Sequence, residues 1–119
     1  FGYNLNTNRN LPFMPPINLR LNLSYQLTKP EAKNTAEIFA GSNYFASQNL
    51  VATNELKTPQ SIIFNSGVLF RSKSKNPLQI KFEVQNLFNT AYLYHLSRFR
   101  LLNLPEAGRS LNMSINYKF

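Results

Sequence analysis

Cysteine is absent from the 119-residue sequence. That removes disulfides, thiolate metal sites and a thiol nucleophile, and it leaves the redox compartment open. Histidine occurs once, as His95, and acidic residues occur five times. So sparse a set, scattered along the chain, does not spell a Ser-His-acid arrangement, and no enzyme is expected. Glycine occurs four times, and nowhere as a Gly-rich phosphate loop. No apolar run approaches the ~20 residues a membrane helix needs, so a helical span is excluded.

Negative charge is scarce too. Thirteen Lys and Arg face five acids, for a net charge of +8. Such a balance is one footprint of nucleic-acid binding. Here the positions argue otherwise. Lys29, Lys33, Lys73 and Lys75 fall in apparent turns, and Arg98, Arg100 and Arg109 in or beside an apparent loop. No element collects the charge, so no nucleic-acid partner is expected. The chain opens at Phe1 without an initiator Met or a charged-then-apolar leader, as a mature or truncated chain would.

What the sequence does have is alternation. Ile17, Leu19, Leu21, Leu23, Tyr25 and Leu27 interleave strictly with Asn18, Arg20, Asn22, Ser24 and Gln26. Successive side chains of a strand point to opposite faces, so this run predicts a strand with one apolar and one polar face. Leu78, Ile80, Phe82 and Val84 alternate with Gln79, Lys81 and Glu83 in the same way. The final stretch repeats the pattern: Leu111, Met113, Ile115, Tyr117 and Phe119 against Ser110, Asn112, Ser114, Asn116 and Lys118. Soluble domains tend to fray at their ends, so an aromatic residue still in phase at the last position points to an end held in a sheet.

Two further strands are expected. Over 62–71, Ile62, Phe64, Val68 and Phe70 share one face, with Asn65, Gly67 and Arg71 on the other. Over 34–46 the faces are mixed: Ala36, Ile38, Ala40, Ser42 and Tyr44 against Thr35, Glu37, Phe39, Gly41, Asn43 and Phe45. The segment before the first strand is Asn-rich and ends in LPFMPP, whose paired prolines forbid helix. The expected fold is all-β, with about five antiparallel up-and-down strands at the spacing of an all-β protein.

Two features favour a wall of a transmembrane β-barrel over a soluble sheet. The best strands run about nine to eleven residues, the length of a tilted membrane strand. The connections also alternate in length: 28–33 and 72–77 are short, 47–60 and 89–108 are long. Outer-membrane barrels have short periplasmic turns and longer outside loops. Tyr25, Phe70, Tyr117 and Phe119 would gather at the short-turn end as an aromatic girdle. The apolar parity of the clearest strands carries no charge; Arg20, Arg71, Lys81, Glu83 and Lys118 sit on the other. A half-buried soluble sheet would also avoid charge there, so a soluble all-β binding module remains the alternative, with an outer-membrane barrel enzyme or adhesin as a third class.

VQNLFNTAY at 84–92, HLSRF at 95–99 and PEAGRSLNMSINYKF at 105–119 resemble the C-terminal end of TonB-dependent outer-membrane receptors. Asn86, Leu87, Phe88, Tyr92, Gly108, Arg109 and Phe119 fit that family's pattern of Asn-Leu-Phe, Tyr, loop, Gly-Arg and terminal aromatic strand. LPFMPP at 11–16 and the stretch from Glu55 to Pro59 are also similar to its late barrel, so the likeness covers most of the chain. HLSRF is most similar to the branch that takes up iron complexes or heavy metals.

The resemblance implies a barrel of about 22 strands around an N-terminal plug. It implies outer-membrane localisation in a Gram-negative bacterium and uptake of a nutrient such as an iron-siderophore or metal complex. The implied partners are membrane lipid and lipopolysaccharide, the rest of the receptor, the TonB complex and the barrel-assembly machinery; no cofactor is implied. The five strands cannot close a barrel, since even small ones have about eight. Residues 1–119 are therefore expected to be a C-terminal part of the barrel domain, without the plug and the earlier strands.

The candidate ligand contacts are His95, Arg98 and Arg100, in the second long connection. His95 alone cannot make a metal site, which takes three or four ligands. The guanidinium groups suit carboxylate or phosphate, or they pair locally, for instance with Glu106. Arg109, beside Gly108, is expected to fix the start of the last strand. Asn86 falls where alternation ends, and an Asn side chain can bond the backbone and stop a strand. Tyr117 and Phe119 are the candidate assembly signal, read through strand addition to an exposed edge.

Overall fold

A computed structural model describes residues 2–118. Its strands are β1 (Tyr3–Asn4), β2 (Arg9–Asn10), β3 (Asn18–Gln26), β4 (Asn34–Phe45), β5 (Ser61–Ser72), β6 (Leu78–Gln85) and β7 (Ser110–Tyr117). β1 and β2 form a small antiparallel hairpin. The other five make one sheet in sequence order, β3-β4-β5-β6-β7. The expected all-β, antiparallel, up-and-down arrangement is therefore present, with each predicted strand in place to within about two residues. Phe119 lies outside the described residues.

Register turns the alternation into two faces. Phe70, Ile80 and Ile115 stand abreast across β5, β6 and β7; Val68, Phe82 and Met113 form the next row, and Ser66, Val84 and Leu111 the next. The opposite parity aligns Arg71 with Gln79 and Asn116, Leu69 with Lys81 and Ser114, and Gly67 with Glu83 and Asn112. One face is thus free of charge over these rows. The other carries two ion pairs, Arg71 to Glu37 at 3.1 Å and Lys81 to Glu83 at 2.8 Å. Both pairs are partly open to solvent and contribute little to stability, about 0–1 kcal/mol each.

The charge-free face is uncovered. Leu21 is 56% exposed and Ile115 59%, and Leu23, Tyr25, Val68, Phe82, Leu111 and Met113 are exposed as well. Apart from the ring of Pro16, Ile63 is the one buried hydrophobic side chain among the described residues, and it lies on the polar parity of β5. With Leu21 and Ile115 exposed and Ile80 only half-buried, these three do not form a buried core.

The mixed faces of β4 have a physical reason. Phe39 projects on the polar side, where Gly67 leaves room for its ring. The Lys81 ammonium stands 5.1 Å from the centre of the same ring, a cation–π contact. An apolar residue on the polar face is thus paired with a missing side chain on the neighbouring strand.

The chain forms two compact units. One holds most of the sheet: Arg20–Ser42, Ile63–Thr90 and Gly108–Phe119. The other gathers three stretches that are distant in sequence, Phe1–Leu19, Asn43–Ile62 and Ala91–Ala107. The second unit contains the β1–β2 hairpin, an isolated antiparallel bridge between Gln48 and Thr58, and a short 3-10 helix, Arg98–Leu102. Neither the hairpin nor the helix is foreshadowed in the sequence pattern. Ser97 caps the helix by accepting the Phe99 N–H at 3.2 Å, and Asn103 ends it in the left-handed region.

Candidate functional site

Within the unit built from 1–19, 43–62 and 91–107, polar side chains occupy the interior. His95 and Arg100 are each 1% exposed, Thr58 3%, and the Glu55 side chain 7%. Buried charge is costly unless paired and hydrogen-bonded, and these four, with nearby backbone groups, supply partners for all but the buried Arg100 Nε. Glu55 Oε1 lies 3.3 Å from Arg100 Nη2 and 3.3 Å from His95 Nε2. Arg100 Nη1 donates to the Leu56 carbonyl at 2.8 Å and sits 2.8 Å from His95 Nδ1. The Thr58 hydroxyl is 3.0 Å from the same ring nitrogen.

Arg100 Nη1 lies 2.8 Å from Nδ1 and 3.2 Å from Nε2, so it stands beside the ring and does not single out one nitrogen. An ionised carboxylate only accepts, so the contact of Nε2 with Glu55 assigns the proton of the neutral ring to Nε2 and leaves Nδ1 to accept from the Thr58 hydroxyl. Burial and the adjacent Arg100 both push the His95 pKa below its ordinary value, and Glu55 only partly opposes them. Burial alone would raise the Glu55 carboxyl. The backbone N–H groups of Ala52 and Phe13, together with Arg100 and His95, hold it below the usual range instead. The cluster is therefore one carboxylate, one guanidinium and one neutral imidazole.

Thr58, His95 and Glu55 follow the order hydroxyl, imidazole, carboxylate. The arrangement is nonetheless that of pinned groups. Arg100 Nη1, 2.8 Å from Nδ1 and 3.2 Å from Nε2, puts a fixed cation beside the ring that opposes its taking a hydroxyl proton, and Thr58 is buried. Among the described residues no group of three or more His, Cys, Asp or Glu side chains is placed to hold a metal ion.

Of the sequence candidates, His95 and Arg100 come together in this cluster, as interior groups. Arg98, two residues away, is exposed and makes no part of it. Arg100 pairs with Glu55 and not with Glu106, whose buried Oε1 accepts no hydrogen bond. Tyr117 is exposed on β7, with its hydroxyl accepting from Asn76 Nδ2 at 3.0 Å; its proposed companion Phe119 lies outside the described residues. Glu55, Thr58 and Phe13 carry no site signal of their own in the sequence; only the stretches around them are similar to one family's late barrel.

Asn86 and Gly108 have clear structural duties. Asn86 stands at φ 51° directly after β6, and its amide both donates to the Thr90 carbonyl and accepts the Thr90 N–H, at 2.9 and 2.8 Å. It stops the strand by the means expected. The start of β7 is fixed by the Arg109 backbone N–H, which donates to Asn89 Oδ1 at 2.9 Å. A Cβ on Gly108 would meet that same oxygen at 2.6 Å.

The unit also holds an aromatic group and a small cleft. Phe45 stacks on Tyr92 at 6.0 Å and meets Tyr94 edge-on at 5.3 Å. The cleft, about 300 Å³, is lined by uncharged residues including Tyr3, Asn10, Pro16, Ser47, Gln48 and Leu50. No protein-family model matches this chain, and no curated protein matches it either.

Proposed function

We propose that this chain is the C-terminal part of the β-barrel wall of a TonB-dependent outer-membrane receptor. Its role is uptake of a nutrient such as an iron-siderophore or metal complex, with energy supplied by the TonB complex. The observation that carries the reading is the charge-free, uncovered face of the five-stranded sheet. In water a contiguous apolar surface of this extent marks an interaction site or an aggregation hazard. In a bilayer it is the lipid-facing side, and the ion-paired parity faces the lumen.

Three further observations support it. The sheet strands run 9, 12, 12, 8 and 8 residues, on the whole longer than the ~5–6 of an average soluble strand. The connections alternate short and long along the meander, as in outer-membrane barrels. The motif order from Asn86 to the terminal aromatic strand resembles that family. A soluble binding module is the second reading; it needs a layer over Leu21, Met113 and Ile115, and none of the described residues supplies one.

The test is to read the coding sequence upstream of Phe1 and to fractionate cells producing its full product. The receptor reading expects a plug-like domain before the barrel, and a protein that stays with outer membranes after alkaline or urea washing and needs detergent for release. A product released by washing would overturn it.

A further inference from the structure

Glu55 is where the three stretches of its unit meet. Its Oε1 accepts the Phe13 N–H at 3.0 Å and its Oε2 accepts the Ala52 N–H at 3.0 Å. Phe13 belongs to 1–19, Ala52 and Glu55 to 43–62, and the two cationic-capable partners, His95 and Arg100, to 91–107. Phe13 stands at φ 55°, a region that a bulky L-residue rarely adopts and keeps only when its surroundings hold it. The carboxylate ties down the Phe13 N–H, at a residue that is otherwise 59% exposed. The Arg100 guanidinium lies 5.9 Å from the centre of the Phe13 ring.

The groups facing His95 are Glu55 and Thr58 from the first long connection and Arg100 from the second. Of these only Glu55 is negative, and it already serves Arg100 and two backbone N–H groups. A proton added at Nδ1 can turn the Thr58 hydroxyl from donor to acceptor, but it makes the ring a cation with Arg100 Nη1 only 2.8 Å from Nδ1 and 3.2 Å from Nε2. Two cations then share an interior that is closed to water.

We propose that His95 is an acid-operated release for this unit: its protonation drives Arg100 out of register, breaks the hold of Glu55 on Phe13 and lets the three stretches part, while the sheet remains folded. The device does not depend on the transport reading. It would work in any protein that meets mildly acidic surroundings.

The sign follows from linkage. A histidine whose folded pKa lies below its unfolded value binds more protons when unfolded. The stability it contributes is complete above the ordinary value of 6.5 and declines as pH falls from there toward the folded pKa. Glu55, also lowered, adds a second loss of the same sign below its ordinary 4.5.

The experiment is amide hydrogen exchange on the full-length protein in its native assembly, from about pH 7.5 to about pH 5, corrected for the intrinsic pH dependence of exchange. Protection of the Phe13 and Ala52 amides should fall at least about tenfold across this range, while amides of β6 and β7 hold. His95→Gln, which can still donate to Glu55 but does not titrate, should keep protection flat. Unchanged Phe13 and Ala52 protection in the unsubstituted protein overturns the proposal. So does a His95→Gln variant that is folded at the higher pH and loses protection along the same curve. If that variant does not fold, the unsubstituted profile decides: a loss setting in below 6.5 and confined to this unit supports the proposal, and a loss shared equally by the sheet defeats it.

Discussion

The Phe39 ring rests where a Gly67 side chain would be. A Cβ on Gly67 would overlap both Phe39 Cζ and the Phe82 carbonyl oxygen. The glycine is thus a socket in β5 for an aromatic residue of β4. Gly67→Ala should force the ring out and destabilise the sheet by about 1–3 kcal/mol, the usual cost of overpacking. Gly67→Ala with Phe39→Ala should recover part of that loss. Denaturation of the two variants checks it; equal stabilities of the single variant and the unsubstituted protein would show the socket to be slack.

Removing Glu55 leaves Arg100 as a buried charge without its counterion. Glu55→Ala should cost about 3–5 kcal/mol in the stability of its unit, the range for breaking a buried ion pair. Replacing the pair together, with Arg100→Met and Glu55→Leu, should cost less than the single change, because no uncompensated charge remains. A double-mutant cycle read by hydrogen exchange across 46–60 and 91–107 checks the order.

Lipid contact predicts an asymmetry between adjacent residues of β7. Met113→Arg places a cation on the charge-free face and should cost about 2–4 kcal/mol near the bilayer midplane. Asn112→Arg places it on the other face, directly across from Glu83, where it gains a partner. Outer-membrane levels of the full-length protein should fall for the first and hold for the second. Equal levels would remove the lipid from the explanation.

Asn86 combines a left-handed backbone with two side-chain bonds to Thr90. Asn86→Ala loses both bonds and strains the backbone, for about 1–3 kcal/mol in all. Asn86→Gly keeps the conformation and loses only the bonds, so it should be the milder change. Thermal unfolding that ranks the glycine variant below the alanine variant would contradict this account of the turn.

The strands were legible because period-two alternation is a local signal: Leu19 to Tyr25 and Leu111 to Tyr117 announce their faces without reference to any other part of the chain. β4 was less legible because Phe39 breaks its parity, and the reason lies on another strand, at Gly67. The polar cluster was not legible. Arg100 and Glu55 are 45 positions apart, and a single histidine among scattered acids gives no spacing from which to infer a partner. His95 and Arg100 stand out by their chemistry, yet nothing local says that they are interior. Phe13 gave no warning either: no local pattern announces its φ of 55°, and the carboxylate that accepts its N–H comes from a different stretch.

The strand order carries a parity constraint. In an antiparallel meander of five, β3 and β7 travel in the same direction. Identical copies joined in a ring, β7 of one beside β3 of the next, would meet there as parallel neighbours. A wall that is antiparallel throughout must therefore insert an odd number of additional strands between these two margins, and both its first and its last must run opposite to β3.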